Sequence, residues 1–360
     1  MSSNANGSGI EIQTGDVAIS NSHISNSENI GIIVYPNIKP QITDCIFENN
    51  TRDIQSYFSS TDSTYNNTNA IVYILGSTIN QNSLVPNPGN NSFYRLTSDA
   101  NLADNTLLNI SPGVLIDFPD QNVDFIINGT LQAIGTELNP IQFVRLDGDI
   151  SNYGGNINVT ANSSNSIFNF VNIDHLGFNS YALNLSSGTT TIGNVNITNS
   201  YLRGLQIAGV SPTVVNSTFQ GQNTGIYVNT SGDPTFTNCI ILGNTNYGIN
   251  NTGTGVVDAR DCWWGDVSGP FHSTNTGGLG NQVSDNVLFN PTLNEPPNNT
   301  IVNLGLVRML EPNSDCNLTD KTPVVVELAN LGNITQSNFD VGIVVNQMDT
   351  VVENLSLIHI

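Results

Sequence analysis

The chain has 360 residues, and its 29 Asp and Glu against 8 Lys and Arg give a formal net charge of −21. Nucleic acid is a poor partner for such a chain, because clustered Lys and Arg are needed to neutralise phosphates. A polyanionic glycan is disfavoured for the same reason. The acidic charge fits either solubility outside the cell or divalent-cation binding, and we favour solubility because net charge mainly governs colloidal behaviour.

Residues 1–56 contain a repeat. Gly9-Ile10 recurs as Gly31-Ile32, and Asn21-Ser22-His23-Ile24 recurs as Asp44-Cys45-Ile46-Phe47. Both spacings are about 22 residues, a period typical of solenoids. We interpret this region as the last coils of an earlier block of stacked repeats. The first residues have no basic start and no apolar run, so we expect an export signal upstream of the chain.

Residues 57–100 break this period. The segment Pro86-Asn87-Pro88-Gly89-Asn90-Asn91 is typical of a loop, because Pro, Gly and Asn favour turns. We therefore predict a bridging segment between the first block and a second one. The sequence leaves open whether the two blocks form one continuous rod.

Residues 101–297 contain the clearest repeat. Four segments begin with an Asx residue at a nearly constant spacing: Asn194-Val195-Asn196-Ile197, Asn216-Ser217-Thr218-Phe219, Asn238-Cys239-Ile240-Ile241 and Asp261-Cys262-Trp263-Trp264. Apolar residues at alternate positions put their side chains on one face of a strand. Stacking the repeats buries those faces in continuous parallel sheets, and Asn holds the turns because it adopts left-handed backbone angles cheaply. We expect about nine coils.

Two segments carry a family resemblance. The opening stretch Leu107–Val114, Ile127–Thr136 and Pro140–Phe143 and the closing stretch Asp261–Pro270, Gly278–Ser284 and Phe289–Pro291 resemble the right-handed parallel β-helix repeat proteins, a pectin-lyase-like family of bacterial surface and carbohydrate-active proteins. The resemblance covers residues 9 to 293. It implies an all-β fold, a right-handed parallel β-helix solenoid.

Residues 298–354 follow a Pro296-Pro297 linker and lose the coil period. Pro312 with Cys316, Val326–Gly332 and Phe339–Val341 resemble the start of a CARDB-type Ig-like module, which is related to adhesion and occurs in bacteria with type IX secretion. A whole sandwich needs about 100 residues, so we expect a partial C-terminal Ig-like β-sandwich. Residues 355–360, Leu-Ser-Leu-Ile-His-Ile, match the translation of a common sequencing adapter and are interpreted as an artefact; a genuine apolar strand is the alternative.

Candidate catalytic residues are few. Asp258 and Asp261 form the nearest carboxylate pair, but Asp261 occupies the turn position. Ile173-Asp174-His175 is similar to a tripeptide of pectate lyases, although its flanks differ and a structural role is favoured. His272 has no carboxylate nearby in sequence and is expected to be solvated. No zinc-ligand spacing, phosphate-binding loop or nucleophile elbow is present.

Cysteines and tryptophans are interpreted structurally. Cys239 and Cys262 occupy the same position of adjacent coils, within disulfide reach, but a reduced, buried stack is favoured because free Cys packs well in cores. Of Trp263 and Trp264, one should close the core and the other pack against the closing loop, with sugar stacking as the alternative.

We therefore predict a non-catalytic secreted or cell-surface protein whose rod acts in adhesion, glycan contact or as a spacer. An extracellular polysaccharide lyase or glycoside hydrolase is the alternative. No catalytic, cofactor-binding or metal residue is assigned. A polysaccharide or cell-surface glycan is the candidate partner, the chain is expected to be monomeric, and membrane insertion is not expected because no run approaches the ~18 apolar residues of a membrane span.

Overall fold

The computed structural model describes residues 8–61, 65–146, 152–297, 304–311, 325–330, 339–345 and 349–355. The chain divides into two compact units, Met1–Pro297 and Asn298–Ile360. Among the described residues all regular structure is β, apart from one 3₁₀ turn at Phe58–Ser60. The described part of the chain contains no helix long and apolar enough to cross a membrane.

The first unit is a stack of short strands. In chain order they are β1 (Ile10–Ile12), β2 (Ala18–Ser20), β3 (His23–Ser25), β4 (Ile30–Val34), β5 (Gln41–Glu48), β6 (Arg52–Ser56), β7 (Tyr65–Thr68), β8 (Ile71–Ile74), β9 (Thr78–Ile79), β10 (Ser83–Val85), β11 (Phe93–Leu96), β12 (Ala100–Leu102), β13 (Leu107–Ile110), β14 (Leu115–Asp117), β15 (Phe125–Ile127), β16 (Thr130–Ile134), β17 (Ile141–Val144), β18 (Ile157–Val159), β19 (Ile167–Asp174), β20 (Leu183–Leu185), β21 (Thr191–Thr198), β22 (Arg203–Ala208), β23 (Thr213–Val215), β24 (Thr218–Gln220), β25 (Thr224–Asn229), β26 (Thr235–Thr237), β27 (Ile240–Leu242), β28 (Tyr247–Asn251), β29 (Val257–Asp258) and β30 (Val287–Leu288).

All of these strands except β2, β3, β5 and β7 line three long faces of a parallel β-solenoid of about ten turns. Face A is the column β10-β13-β16-β19-β21-β23-β26-β29-β30, and face B is the column β1-β4-β6-β8-β11-β14-β17-β19-β21-β24-β27. The two faces form one sheet because the eight-residue strands β19 and β21 run across both. Face C is the separate eight-stranded sheet β9-β12-β15-β18-β20-β22-β25-β28.

One column of side chains shows how the coils stack. Each of ten successive coils places one residue with no exposed surface in register on face B: Ile32, Ile54, Val72, Tyr94, Ile116, Phe143, Ile173, Ile197, Phe219 and Ile241. Their neighbours along each strand point outward, because side chains alternate across a strand. The alternation in sequence therefore produces a continuous apolar core.

The predicted Asx turns are confirmed. Asn194, Asn216, Asn238 and Asp261 have φ of 52°, 52°, 58° and 56°, in the left-handed region. The side-chain amides of two of them also pair along the stack, since Asn238 Nδ2 donates to Asn216 Oδ1 at 2.8 Å. Each turn is thus stabilised by a residue that tolerates positive φ, and the Asn216 and Asn238 turns are joined by a hydrogen bond between coils.

This turn provides a first test. Replacing Asn238 by Ala should lower the free energy of unfolding by about 2 kcal/mol, because the left-handed backbone costs a non-glycine residue about 1–2 kcal/mol and the amide bond is lost. Replacing it by Gly should cost about 1 kcal/mol, because Gly keeps the backbone. Urea unfolding measures both variants. Equal losses would show that the backbone conformation is not the reason for Asn at this position.

Residues 57–100, predicted as a bridging segment between two blocks whose continuity the sequence left open, contribute strands to the solenoid in their described part. Strand β8 pairs in parallel with β6 on one side and β11 on the other, so face B continues through the segment. What changes there is the cross-section. A four-stranded sheet of β2, β3, β5 and β7 ends with β7, and face C begins with β9. Ile54 and Val72, which pair across this change, are closer in sequence than any other successive residues of the face B column.

The second unit contains two antiparallel pairs in its described residues. Strand β31 (Leu304–Glu311) pairs with β32 (Val325–Asn330), and β33 (Phe339–Val345) pairs with β34 (Asp349–Leu355). The Pro312 and Cys316 signals and residues 356–360 lie outside the described residues. The Ig-like assignment stays a prediction.

Candidate functional site

The connection from face B to face C on each coil forms a corner, here called the BC corner. On six successive coils its described residues are 75–77, 97–99, 118–124, 145–146 with 152–156, 175–182 and 199–202. The coils are longest beside it. The in-register residues Ile116, Phe143 and Ile173 lie further apart in sequence than any other successive residues of the face B column. Departures of this kind from a repeat are where solenoids place functional loops.

Four rings from three successive coils form a continuous cluster on this corner. The Tyr153 ring stacks on His175 with centroids 5.9 Å apart and lies 5.1 Å from the Tyr201 ring. Phe178 stacks on Tyr201 at 5.0 Å with an interplanar angle of 24°. Tyr201 is 50 % exposed, whereas the other three side chains are partly buried. The cluster therefore presents an aromatic surface to solvent on a packed aromatic base.

Backbone bonds between coils fix this cluster. The Gly154 N–H donates to the His175 carbonyl at 2.8 Å, and the Tyr201 N–H donates to the Leu176 carbonyl at 3.3 Å. A Cβ on Gly154 would lie 2.5 Å from Leu176 Cδ2 and 2.7 Å from Phe118 Cβ, so only glycine fits between these coils. The rings are preorganised by the solenoid itself.

Asp174 and His175 are brought together, as their adjacency suggests. His175 has φ of 53°, and its Nδ1 lies 2.6 Å from Asp174 Oδ2. The other carboxylate oxygen, Oδ1, accepts bonds from Thr198 Oγ1 at 2.6 Å and Asn199 Nδ2 at 2.9 Å. The pair is fixed beside the ring cluster with 29 % of the Asp174 and 22 % of the His175 side chain exposed. Such a pair can exchange hydrogen bonds with a hydroxylated ligand.

A groove occupies the same corner on earlier coils. It encloses about 710 Å³ and is lined mainly by polar residues: Gly76, Ser77, Thr78, Thr97, Ser98, Asp99, Asn101, Asp120, Asn122 and Val123. Its turns are tied together, since Ser98 Oγ accepts the Gly76 N–H at 3.0 Å and Asp99 Oδ1 accepts the Asp124 N–H at 2.9 Å. Burial raises the pKa of Asp124, and the Asp99 charge acts in the same direction.

The groove and the ring cluster are connected. Asn179 Nδ2, from the coil that carries Phe178, donates to the Gln121 carbonyl beside the groove at 3.0 Å. Burial also raises the pKa of Tyr181, with a further contribution from the Asp124 charge. The BC corner is thus one surface, polar at one end and aromatic at the other.

Face B carries a second cluster of chemistry-bearing side chains, which sequence analysis missed. Arg95 Nε lies 2.5 Å from Asp117 Oδ2, and the Asp117 side chain is only 1 % exposed. The Arg95 guanidinium also lies over the Tyr73 and Phe93 rings, at 5.9 and 5.3 Å. Burial raises the pKa of Asp117 although Arg95 opposes the shift. This carboxylate is sealed under its cation and does not face solvent.

The predicted carboxylate pair does not form an open site. Asp258 is engaged by Arg260, whose Nε and Nη2 donate to its two oxygens at 2.9 and 2.6 Å, and this hydrogen bonding lowers the pKa of Asp258. Asp261 holds the turn through its left-handed backbone. Arg260 lies two residues from Asp258 in the sequence, so this ion pair could have been predicted from the sequence.

The prediction that His272 is solvated is wrong. Its side chain is 13 % exposed, with Nε2 3.1 Å from Asp285 Oδ1 and Nδ1 2.8 Å from Thr274 Oγ1. The ring packs edge-on against Phe289 at 5.6 Å. The partner carboxylate lies in the returning arm of the closing loop, which is why the residues next to His272 did not indicate it.

The core closes as expected at one tryptophan. Trp264 is fully buried in the core cluster, and its carbonyl accepts the Asn281 N–H at 2.9 Å. Cys239 and Cys262 are fully buried and not disulfide-bonded. The hydrogen bond with Cys239, together with burial, raises the pKa of the Cys262 thiol well above its usual value. Trp264, Cys239 and Cys262 therefore belong to the apolar core.

The described residues contain no group of three or more His, Cys, Asp or Glu side chains placed to hold a metal ion. No protein-family model, no curated protein and no solved structure matches the chain.

Proposed function

We propose that the chain is a non-catalytic secreted or cell-surface β-helical protein whose BC corner contacts a glycan in adhesion, with the solenoid acting as a rigid support. The observation that carries this proposal is the four-ring cluster with half-exposed Tyr201, held by bonds between coils. Flat aromatic rings stack on the apolar faces of sugar rings, and a preformed surface binds with a smaller entropic cost.

The outward side of face A supports a binding role. Thr213 on face A is in register with Thr235, and Thr191 occupies the equivalent position one coil earlier. Such a stacked hydroxyl ladder suits contact with hydroxylated polymers.

The finer family assignment belongs to this proposal. A right-handed, pectin-lyase-like winding and a CARDB-type Ig-like second unit would fit an exported bacterial adhesin delivered by type IX secretion. The supporting signals are the opening and closing segments of the solenoid and the Val326–Gly332 pattern.

A polysaccharide-degrading enzyme is the second candidate, and one column favours it. Arg95, Asp117, Val144 and Asp174 are in register on face B, which puts two carboxylates two coils apart, roughly 9.6 Å between Cα atoms. Inverting hydrolases separate their carboxyl groups by about 6.5–9.5 Å. Against this reading, Asp117 is 1 % exposed and engaged by Arg95.

A glycan screen with the recombinant chain separates these functions. The chain is run on native gels containing soluble polysaccharides, and the same mixtures are assayed for reducing and unsaturated sugar. We expect retarded migration without sugar release. Sugar release by the wild type that disappears in Asp174→Asn would contradict the binding proposal and support the polysaccharide-degrading enzyme. If the screen shows neither retarded migration nor sugar release, glycan contact is refuted and a spacer role remains.

A further inference from the structure

We infer that the BC corner binds a single extended, uncharged glycan chain lying parallel to the axis of coil stacking, with its sugar rings on the Tyr201 cluster at one end and in the 710 Å³ groove at the other. The inference rests on the proposed function and specifies its ligand class, position and direction.

The direction follows from the stacking. Both elements lie on the same corner of successive coils, and Asn179 joins them through its bond to the Gln121 carbonyl. Neighbouring coils are about 4.8 Å apart, close to the length of one pyranose residue in an extended chain. The six corner segments therefore span about 24 Å, room for about five sugar residues.

The ligand class follows from charge. The described residues of the six corner segments include Asp99, Asp120 and Asp124 against the single cation Arg145, and Asp174 borders the ring cluster. Asp99 and Asp120 line the groove directly. These carboxylates repel uronates and sulfated sugars but accept hydrogen bonds from the hydroxyl groups of neutral sugars.

The stacking contact is tested at Tyr201. Cello-, manno- and xylo-oligosaccharides of two to six residues are titrated calorimetrically against the whole chain, with oligogalacturonates as charged probes. Tyr201→Ala should weaken binding of the best hexasaccharide about tenfold, because an aromatic stacking contact is lost. Tyr201→Phe should bind within about twofold of the wild type, since the ring remains.

A matched control is available. Phe271, in the closing loop, is 44 % exposed, close to the 50 % of Tyr201. Phe271→Ala should leave affinity unchanged. Equal weakening by Phe271→Ala would indicate nonspecific aromatic adsorption and overturn the site. Thermal midpoints of all variants verify that the solenoid is folded.

The groove is tested by filling it. Thr78 is exposed, lines the groove and lies on face C. Thr78→Trp should abolish the advantage of hexasaccharides over disaccharides while leaving disaccharide affinity unchanged. An unaltered length dependence would overturn the extended path.

The remaining outcomes are distinct. If a neutral glycan binds equally well to Tyr201→Ala, the extended site on the Tyr201 cluster is wrong, and of the proposed function only glycan contact in adhesion remains, at another surface of the solenoid. If oligogalacturonates bind more tightly than neutral sugars, the ligand class is wrong. If no polysaccharide in the screen retards the migration of the chain, the proposed function itself fails, and this inference fails with it.

Discussion

Replacing Arg95 by Ala should lower the free energy of unfolding by about 3–5 kcal/mol at neutral pH, because it leaves a buried carboxylate without its hydrogen-bonded cation. Asp117 is 1 % exposed, and its Oδ1 accepts the Leu146 N–H at 3.0 Å. The charge of Arg145 attracts the carboxylate more weakly than Arg95 does, so it does not replace the lost partner. Urea unfolding followed by circular dichroism measures the loss.

Arg52 provides the matched control. Its guanidinium lies 5.2 Å from the centroid of the same Tyr73 ring, but its Nη1 donates to the neutral Gln55 side chain at 3.2 Å. Arg52→Ala should cost only about 0.5–1 kcal/mol. The double variant Arg95→Ala/Asp117→Leu should recover most of the stability, because the buried carboxylate is gone.

The loss should also depend on pH. Burial raises the pKa of Asp117 in the folded state, and removal of Arg95 takes away the largest contributions that lower it. A folded carboxyl with a raised pKa binds protons more tightly than the unfolded one, so its penalty is absent below the unfolded pKa of about 3.9 and grows as pH rises. The gap between variant and wild type should therefore be smaller at pH 4 than at pH 7. A gap independent of pH would show that the Asp117 charge is not its origin.

The repeat could be predicted from sequence because its landmarks are local. Asn194, Asn216 and Asn238 recur once per coil since each turn needs a residue that tolerates positive φ. The same coil period separates Arg95 from Asp117, so this ion pair was also detectable by searching for opposite charges one coil apart.

The change of cross-section was not predictable in this way. Between Ile54 and Val72 the coil is shorter than its neighbours, although Asn69, three residues before Val72, keeps the left-handed Asx turn with φ of 57°. Strand β8 still pairs with β6 and β11, although the chain between the strands follows a different path. Backbone hydrogen bonds between strands do not depend on side-chain identity, so the sequence does not signal this change.

The ring cluster escaped prediction for a related reason. Tyr153, Phe178 and Tyr201 come from coils of unequal length, so no fixed spacing relates them. Their signal is instead that the coils lengthen between Ile116 and Ile173, which marks a loop-bearing corner. Side-chain packing across that corner depends on the loop paths, which periodicity does not specify.

Replacing Phe219 by Ala should lower the free energy of unfolding by about 3–5 kcal/mol, because it opens a cavity in the apolar core. Phe219 has no exposed surface, lies in register between Ile197 and Ile241, and packs edge-on against Phe236 with ring centroids 6.1 Å apart. In a solenoid each coil contacts only its neighbours, so no distant contact compensates.

A substitution at the next residue, Gln220, serves as the control that separates the effect of burial from that of disrupting the strand. Gln220 follows Phe219 on the same strand but is only partly buried, and Gln220→Ala should change stability by less than about 0.5 kcal/mol. Urea unfolding of both variants and of Tyr201→Ala tests whether Phe219 stabilises the core while Tyr201 serves binding. Phe219→Ala should lose stability, whereas Tyr201→Ala should keep its stability and bind the glycan about tenfold more weakly. A loss below about 1 kcal/mol for Phe219→Ala would contradict a closed apolar core.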